Sequence, residues 1–264
     1  MIYKYLPPER ISYLSDALLR FTQPIALNDP YEALPALSTK QTHEVIAKYV
    51  ANERKKANQA PTKKARQTAR QLVDHVKNRI YNEIKANPYL IRDEFFKNAA
   101  IKLNSRIGIL SLSERWDSGL MWAHYGSSHT GFCVGFDEGH KFFTNPSIGS
   151  PFPARSVSYS DLRIQVPLDQ NQEIDFEVMF RKSSDWRYEK EIRLLALLEN
   201  AQKMVQADGW PIYLFEVPHD SIKEVIIGLN SSEQTRSAIS KFSIDNKCNL
   251  YQAKLSETTF DMIR

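Results

Sequence analysis

Cysteines are few and long apolar runs are missing. These two features argue against a disulfide-rich protein and against a membrane-spanning one. Only two of the 264 residues are cysteine, Cys133 and Cys248, and no CxxC pair is present. We therefore expect two thiols rather than a disulfide framework or a cysteine-based metal site. The apolar runs, such as 194–198 and 225–229, are far shorter than the roughly 18 residues that span a bilayer. Because residues 1–5 lead into a Pro-Pro pair rather than a secretory apolar region, we expect a cytoplasmic protein with no membrane contact.

Several common catalytic signatures are also missing. The sequence contains no GxGxxG or GxxxxGK[ST] phosphate-binding loop, no HExxH zinc motif and no GxSxG elbow. Cys133 lies in an apolar strand pattern, where a thiol is usually inert. The spacing of His124 and His129 matches no common metal site, so we predict no bound metal.

Charge is unevenly distributed along the chain. The net charge is +4, but residues 40–102 hold 15 Lys or Arg against 6 Asp or Glu, a balance of +9 that leaves −5 elsewhere. Apolar spacing between residues 38 and 102 predicts long helices, which we interpret as a helical insertion in a single α+β domain spanning 1–264. Its basic face fits either a solvated helical hairpin or a surface in 40–102 that binds nucleic acid or a partner protein. The lack of interleaved aromatic residues favours the solvated hairpin.

Outside this segment the patterns predict an α+β body. With 42% apolar residues the chain can fill a sizeable core, and short connections favour a mixed, largely antiparallel sheet. Strands are predicted at 1–5, 107–112, 131–137, 157–159, 192–198, 212–217, 222–229 and 250–255. Helices are predicted at 11–19, 116–125, 174–180 and 231–240, and an irregular surface loop at 142–155.

The segment WRYEKEIRLL, residues 186–195, is the strongest candidate for a functional site. If it is a strand throughout, alternation places Glu189, Glu191 and Arg193 on one face. The structural alternative is an edge strand whose exposed ion pairs each contribute only about 0.2 to 1 kcal/mol. Three further polar and aromatic blocks, NDPYE (28–32), MWAHY (121–125) and SYSD (158–161), favour a site, because dense polar groups that are buried need partners or a ligand.

Several of these blocks resemble a known family. The segments FTQPIALNDPYE, SLSERWDSGLMWAHYGSSHTGFCVGFD and FRKSSDWRYEKEIRLL are similar to the bacterial family called domain of unknown function 2971. This resemblance covers most of the chain outside the basic helices. It implies no particular reaction, because that family is defined by sequence alone.

A second resemblance is to ADP-ribosyltransferases, whose sites carry a late ExE pattern that Glu189-Lys190-Glu191 matches. It implies NAD as the substrate, with Glu191 stabilising the oxocarbenium-like charge and Glu189 orienting or deprotonating the acceptor. It also implies Tyr125 or Trp122 stacked on nicotinamide, Arg193 or Lys4 holding the pyrophosphate, and an intracellular toxin or phage-defence effector. The chain departs from that pattern in lacking a clear STS strand and in having Tyr3, Lys4 and Tyr5 on its first strand. The NAD-binding residues that the resemblance implies are Lys4, Tyr5, Asn28, Asp29, Trp122, His124 and Arg193.

Two other functions fit the same residues. The first is a non-catalytic binding module that uses the basic helices to bind nucleic acid or a partner protein. The second is a nuclease in which Asp29, Glu32 and Glu189 surround Mg²⁺.

Overall fold

The structure is a computed structural model that describes residues 1–86, 101, 103–145, 150, 152–166 and 176–264. The chain divides into two compact units. The first contains residues 1–32, 103–161 and 180–264, and the second contains the described residues within 33–102 and 162–179. The extent of the domain, 1–264 with a 38–102 insertion, stays a prediction.

Both strands and helices are present, so the predicted α+β class is confirmed. The strands are β1 (Ile2–Leu6), β2 (Leu18–Phe21), β3 (Ala36–Leu37), β4 (Ile107–Ser113), β5 (Phe132–Phe136), β6 (Arg155–Ser156), β7 (Ser158–Tyr159), β8 (Gln165–Val166), β9 (Arg181–Lys182), β10 (Glu191–Leu197), β11 (Lys203–Val205), β12 (Ile212–Glu216), β13 (Ile222–Ile227), β14 (Asn249–Gln252), β15 (Lys254–Leu255) and β16 (Met262–Ile263). The α-helices are α1 (Tyr13–Asp16), α2 (Thr39–Ala57), α3 (Lys63–Ala86), α4 (Gly119–Tyr125), α5 (Lys141–Thr144) and α6 (Glu233–Asn246). Short 3₁₀ helices lie at Pro8–Ser12, Pro24–Ala26, Phe176–Phe180, Ser184–Glu189, Leu198–Asn200 and His219–Ser221.

The first unit is built on a seven-stranded sheet in the order β14-β13-β5-β1-β4-β10-β6. Its neighbouring strands are antiparallel except β13 and β14, which are parallel. The predicted mixed, largely antiparallel sheet is therefore confirmed. A smaller antiparallel sheet has the order β11-β12-β2, and Leu19 and Phe21 of β2 and Phe215 of β12 belong to the apolar core.

Each face of the large sheet buries a separate apolar cluster. Along β1, Ile2 and Leu6 belong to one cluster while Tyr3 and Tyr5 belong to the other, because successive side chains of a strand point to opposite faces. Cys133 is buried in the second cluster, and both cysteines are free thiols, as expected. Burial on both faces explains why β5 reads as a continuous apolar run.

The large sheet opens between β1 and β4. β1 pairs with β5 along its whole length, from Ile2 with Phe136 to Leu6 with Phe132, but its register with β4 is the single pair Tyr3 and Ser113. β4 and β10 remain paired over all seven residues. Lys4 reaches across the opening, where its Nζ donates to the Ser111 carbonyl at 2.8 Å. The opening places polar main-chain groups of β4 beside side chains of β1.

Two element predictions are wrong. The helix predicted at 11–19 ends at Asp16, because Ala17 takes a left-handed conformation (φ 55°) and Leu18 begins β2, which pairs with β12. The predicted loop at 142–155 begins instead with α5, whose Phe142 and Phe143 are buried in the core. The rest of that loop is only partly described, since 146–149 and 151 lie outside the described residues.

The second unit contains the long helices predicted in the basic segment. α2 and α3 pack against each other and are joined by residues 58–62. β3 and β8 pair in parallel, which links residues 36–37 to 165–166. Of the predicted helix at 174–180, residues 176–180 form a 3₁₀ helix, and 174–175 lie outside the described residues.

Substitution of Gly131 tests the packing between β1 and β5. A Cβ at this position would overlap the Leu6 carbonyl oxygen, which is main chain and cannot move without shifting β1. We expect Gly131→Ala to lower the free energy of unfolding by about 1 to 3 kcal/mol in a denaturant titration. Gly139→Ala is the matched control, because its Cβ would meet nothing closer than 3.4 Å. Equal stability of the two variants would contradict this packing.

Candidate active site

A pocket of about 260 Å³ lies at the opening between β1 and β4, and all of its lining residues belong to the first unit. Cationic, acidic, hydroxyl and aromatic side chains line it together. The lining residues are Tyr3, Lys4, Tyr5, Arg20, Thr22, Ala26, Leu27, Asn28, Glu32, Ser111, Leu112, Ser113, Met121, Tyr125, Lys182, Glu189 and Glu191.

Lys182, on β9, holds three carboxylates at one edge of the pocket. Its Nζ lies 2.9 Å from Glu32 Oε1, 2.6 Å from Glu189 Oε2 and 3.2 Å from Glu191 Oε2. The indole of Trp186 lies 4.8 Å from the same Nζ, a cation–π distance. All four charged side chains are buried, so the ammonium group compensates carboxylates that have little contact with water.

Arg193 completes this buried ion cluster, which consists of Glu32, Lys182, Glu189, Glu191 and Arg193. Its guanidinium binds both oxygens of Glu191, with Nε 2.7 Å from Oε1 and Nη2 2.9 Å from Oε2, and Nη2 also donates to Glu32. Arg193 has 0% exposed surface. Two cations therefore face three carboxylates, and bidentate geometry fixes Glu191 most firmly.

The main chain between Glu189 and Glu191 explains how both carboxylates reach Lys182. Residues 186–195 are not a strand throughout, because Ser184–Glu189 form a 3₁₀ helix and β10 begins at Glu191, close to the start of the strand predicted at 192–198. Lys190 between them is left-handed (φ 42°), so the chain turns here instead of continuing as a strand. Ser113 Oγ donates to the Glu189 carbonyl at 2.6 Å, and Glu114 N donates to the Lys190 carbonyl at 3.0 Å. Glu191 and Arg193 do share a strand face, as predicted, whereas Glu189 joins them through this turn.

Tyrosines and the NDPYE turn complete the acidic edge. Tyr125 Oη donates to Glu189 Oε1, and Asn28 Nδ2 lies 3.5 Å from the same hydroxyl. The Glu191 amide donates to Tyr159 Oη at 2.7 Å. Asp29 turns the chain, since its Oδ1 accepts from the Tyr31 amide at 2.9 Å, and so carries Glu32 towards the cluster.

The two carboxylates of the EKE segment have pKa values shifted in opposite directions. Burial raises the pKa of Glu189, against the opposing effects of Lys182 and the Tyr125 hydrogen bond. Burial alone would also raise the pKa of Glu191, but the Arg193 charge and hydrogen bonds, together with Lys182, lower it to about 2. Burial lowers the pKa of Lys4 to about 8 despite the nearby Glu191 carboxylate. Burial would lower the pKa of Lys182 too, yet its three carboxylates raise it.

The structure brings together some of the predicted site residues and separates others. Lys4, Tyr5, Asn28, Tyr125, Glu189 and Glu191 line the pocket.

Asp29, Trp122, His124 and Arg193 do not line it. Trp122 has 0% exposed surface, packs edge-on to Tyr5 at 5.2 Å and donates to the Trp116 carbonyl, so it has no free face for a ligand. His124 is exposed and its Nδ1 lies 3.0 Å from Tyr188 Oη. Arg193 forms ion pairs with Glu191 and Glu32, which do line the pocket. Asp29 accepts a hydrogen bond from the Tyr31 amide within the NDPYE turn.

Sequence reasoning missed two cations of the pocket, Lys182 and Arg20. Lys182 lies in the FRKSSDW block. A lysine shortly before the acidic EKE segment was the one sign in the sequence that it could pair with those carboxylates. Arg20 lies just after the predicted helix 11–19, and no nearby motif marks it. In β2 its side chain points away from the face of Leu19 and Phe21, which are buried in the core.

A metal site does not accompany these acids. Among the described residues, no three His, Cys, Asp or Glu side chains are placed to hold a metal ion. Glu32 and Glu189 instead share the Lys182 ammonium group. The nuclease alternative stays a prediction, without a candidate metal site among the described residues. Within the same described residues, no helix is both long and apolar enough to cross a membrane.

Acid titration of stability tests the ionised state of Glu191. Because its pKa is 4.5 normally and about 2 when folded, the stability it contributes is complete above pH 4.5 and is lost as the pH falls towards 2. We expect Glu191→Gln to lower the free energy of unfolding by about 3 kcal/mol at neutral pH, and this difference to shrink across that window. Glu199→Gln, which removes an exposed carboxylate, serves as the control and should have an effect below about 0.5 kcal/mol. A difference independent of pH would contradict the assignment.

Comparison with known proteins identifies one similarity. Residues 121–194 match the model of the family described as Protein of unknown function (DUF2971), and this segment contains Tyr125, Lys182, Glu189, Glu191 and Arg193. No curated protein and no solved structure matches the chain. The resemblance to ADP-ribosyltransferases therefore gains no support from the comparisons and stays a prediction. Over residues 121–194, which hold most of the ion cluster, the chain is similar to the DUF2971 family.

Proposed function

We propose that the first unit is an enzyme that cleaves the nicotinamide–ribose bond of NAD and transfers ADP-ribose to an acceptor or to water. The observation that supports this proposal best is the pair Glu189 and Glu191, which line one pocket with pKa values shifted in opposite directions. Two carboxylates whose environments separate their pKa values suit two different roles in one reaction. In this proposal a toxin or phage-defence role follows from the resemblance only.

Glu191 suits the electrostatic role. Its low pKa keeps it ionised throughout the physiological range, and Arg193 holds both of its oxygens in place. When the glycosidic bond breaks, its electron pair leaves with nicotinamide and positive charge develops on the ribose. A fixed carboxylate at the pocket wall stabilises that charge without having to reorganise.

Glu189 suits the proton-transfer role. Burial raises its pKa towards the range in which a general base works well, and Tyr125 and Lys182 hold its two oxygens. As the acceptor oxygen or nitrogen bonds to the ribose carbon, its proton passes to Glu189. The raised pKa of Glu189 and the lowered pKa of Glu191 support this order of the two roles in the proposal.

Release of nicotinamide from NAD, measured by chromatography, tests this proposal. We expect Glu189→Gln and Glu191→Gln each to lower the rate at least about 100-fold, since each removes a charge that the reaction requires. Glu224→Gln is the matched control, because Glu224 is a buried carboxylate of β13 that pairs with Arg264 and does not line the pocket. Thermal unfolding establishes that each variant is folded. An undiminished rate in folded Glu191→Gln, or no nicotinamide release by the wild type, would overturn the proposal.

We also propose that the second unit binds double-stranded nucleic acid through the basic tip, residues 54–70, where α2 ends and α3 begins. The tip contains seven Lys or Arg and no Asp or Glu. Lys55, Lys63 and Lys64 are exposed there. Because no aromatic or large apolar residue lies between Val50 and Leu72, the tip lacks the groups that insert into membranes, anchor protein interfaces or stack on unpaired bases. Exposed cations without such groups also fit the solvated hairpin, and the nucleic-acid contacts that they can make are to phosphates, as on a duplex.

Fluorescence anisotropy with a short labelled DNA duplex tests the basic tip. We expect the combined change Lys55→Gln, Lys63→Gln and Lys64→Gln to weaken binding and to reduce the slope of log affinity against log salt by up to about 3. The control removes three exposed lysines of the first unit, Lys203, Lys241 and Lys254. Equal effects of the two triple variants, or no binding at low salt, would contradict this role.

A further inference from the structure

Two cations of the pocket take no part in the ion cluster. Lys4 and Arg20 both line the pocket, and neither forms an ion pair with the described residues. Lys4 Nζ donates only to a main-chain oxygen, that of Ser111. The Arg20 Nε atom is buried and has no hydrogen-bond partner in the described part of the chain. A buried donor without a partner is unfavourable unless a ligand binds it.

Local structure fixes Arg20 beside the pocket. Leu19 and Phe21 on either side of it are buried in the apolar core, so alternation along β2 turns Arg20 to the opposite face. Two residues later, Thr22 exchanges both main-chain hydrogen bonds with Ile109 of β4, at 2.8 and 2.9 Å. This bridge holds the end of β2 against the strand that borders the opening.

Electrostatics at this end of the pocket favour an anion. Burial lowers the pKa of Arg20, and the positive charge of Arg10 lowers it further. Arg10 also acts in the same direction on Lys4. Arg10 itself donates to the Leu18 carbonyl, a neutral acceptor. Lys4 and Arg20 line the pocket and Arg10 acts on both, so like charges repel one another here, although Glu191 and Glu189 attract Lys4. A bound anion relieves that repulsion.

We propose that Lys4 and Arg20 form a subsite for the phosphate groups of a ligand, in the same pocket as Glu189 and Glu191. A guanidinium offers paired donors that match phosphate oxygens, and an ammonium group adds a compact charge. This inference deepens the proposed function, on which the choice of donor rests, because the subsite would hold the pyrophosphate of NAD. The carboxylates would then face the ribose end of the same molecule.

Isothermal titration calorimetry with ADP-ribose, inorganic pyrophosphate and adenosine tests the subsite. We expect the first two to bind and adenosine to bind at least tenfold more weakly than ADP-ribose. Arg20→Gln should weaken ADP-ribose and pyrophosphate at least tenfold, and Lys4→Met, which keeps the apolar stem, should weaken both as well. Arg187→Gln removes an exposed cation of the same unit that does not line the pocket, and should change neither affinity. Equal affinity of ADP-ribose for Arg20→Gln and Arg187→Gln would overturn the subsite.

The pH dependence of ADP-ribose binding provides a second test that separates charge from shape. The pyrophosphate diester of ADP-ribose has no proton to lose near neutral pH, so the protein alone sets the dependence. The charged or titratable groups near Lys4 are Glu191, Glu189, Arg10 and Cys133, and burial raises the pKa of that thiol well above its usual range. Because the pKa of Lys4 is about 8, we expect affinity to fall as the pH rises through that value in the wild type and to stay constant in Lys4→Arg. An identical fall in Lys4→Arg would contradict a role for Lys4.

The outcomes distinguish this inference from the proposed function. Binding of pyrophosphate that depends on Arg20, without release of nicotinamide from NAD, would leave the subsite in place and remove the proposed reaction. Release of nicotinamide with the same KM in Arg20→Gln as in the wild type would leave the proposed reaction in place and remove the subsite.

Discussion

Compensation of buried charge is the interaction on which the first unit depends. Lys182 and Arg193 join Glu32, Glu189 and Glu191, which come from the NDPYE turn, a 3₁₀ helix and β10. Removing one partner leaves a buried charge uncompensated, which typically costs about 3 to 5 kcal/mol. The cluster therefore fixes the relative positions of segments that lie far apart in the sequence.

The same compensation gives the pocket its chemical asymmetry. Arg193 binds both oxygens of Glu191 and keeps it ionised, whereas Glu189 shares its oxygens between Lys182 and the neutral Tyr125 hydroxyl. Burial then raises the pKa of Glu189 while that of Glu191 falls. Perturbed pKa values beside a pocket are typical of functional sites, which makes this cluster the candidate active site.

Periodicity predicted much of the fold and less of the site. The buried strands β4 and β5, the helices α2 and α3, and the shared face of Glu191 and Arg193 follow from local apolar and polar patterns. The left-handed conformation of Lys190 does not follow from such a pattern, because no glycine marks the position. The turn at Lys190 sets the direction of the Glu189 side chain.

Long-range contacts explain the remaining failures. Glu32 and Arg193 are 161 residues apart, and no local pattern predicts their contact. Arg20 reaches the pocket because Thr22 bridges to Ile109 of β4, a contact that no local pattern predicts. The central claim, that one buried cluster separates the pKa values of two neighbouring carboxylates, is tested most directly by ¹³C NMR of the glutamate carboxyl groups, assigned with Glu189→Gln and Glu191→Gln. The account predicts that Glu189 titrates above its usual value of 4.5 and Glu191 near 2, and titration of both together near 4.5 would contradict it.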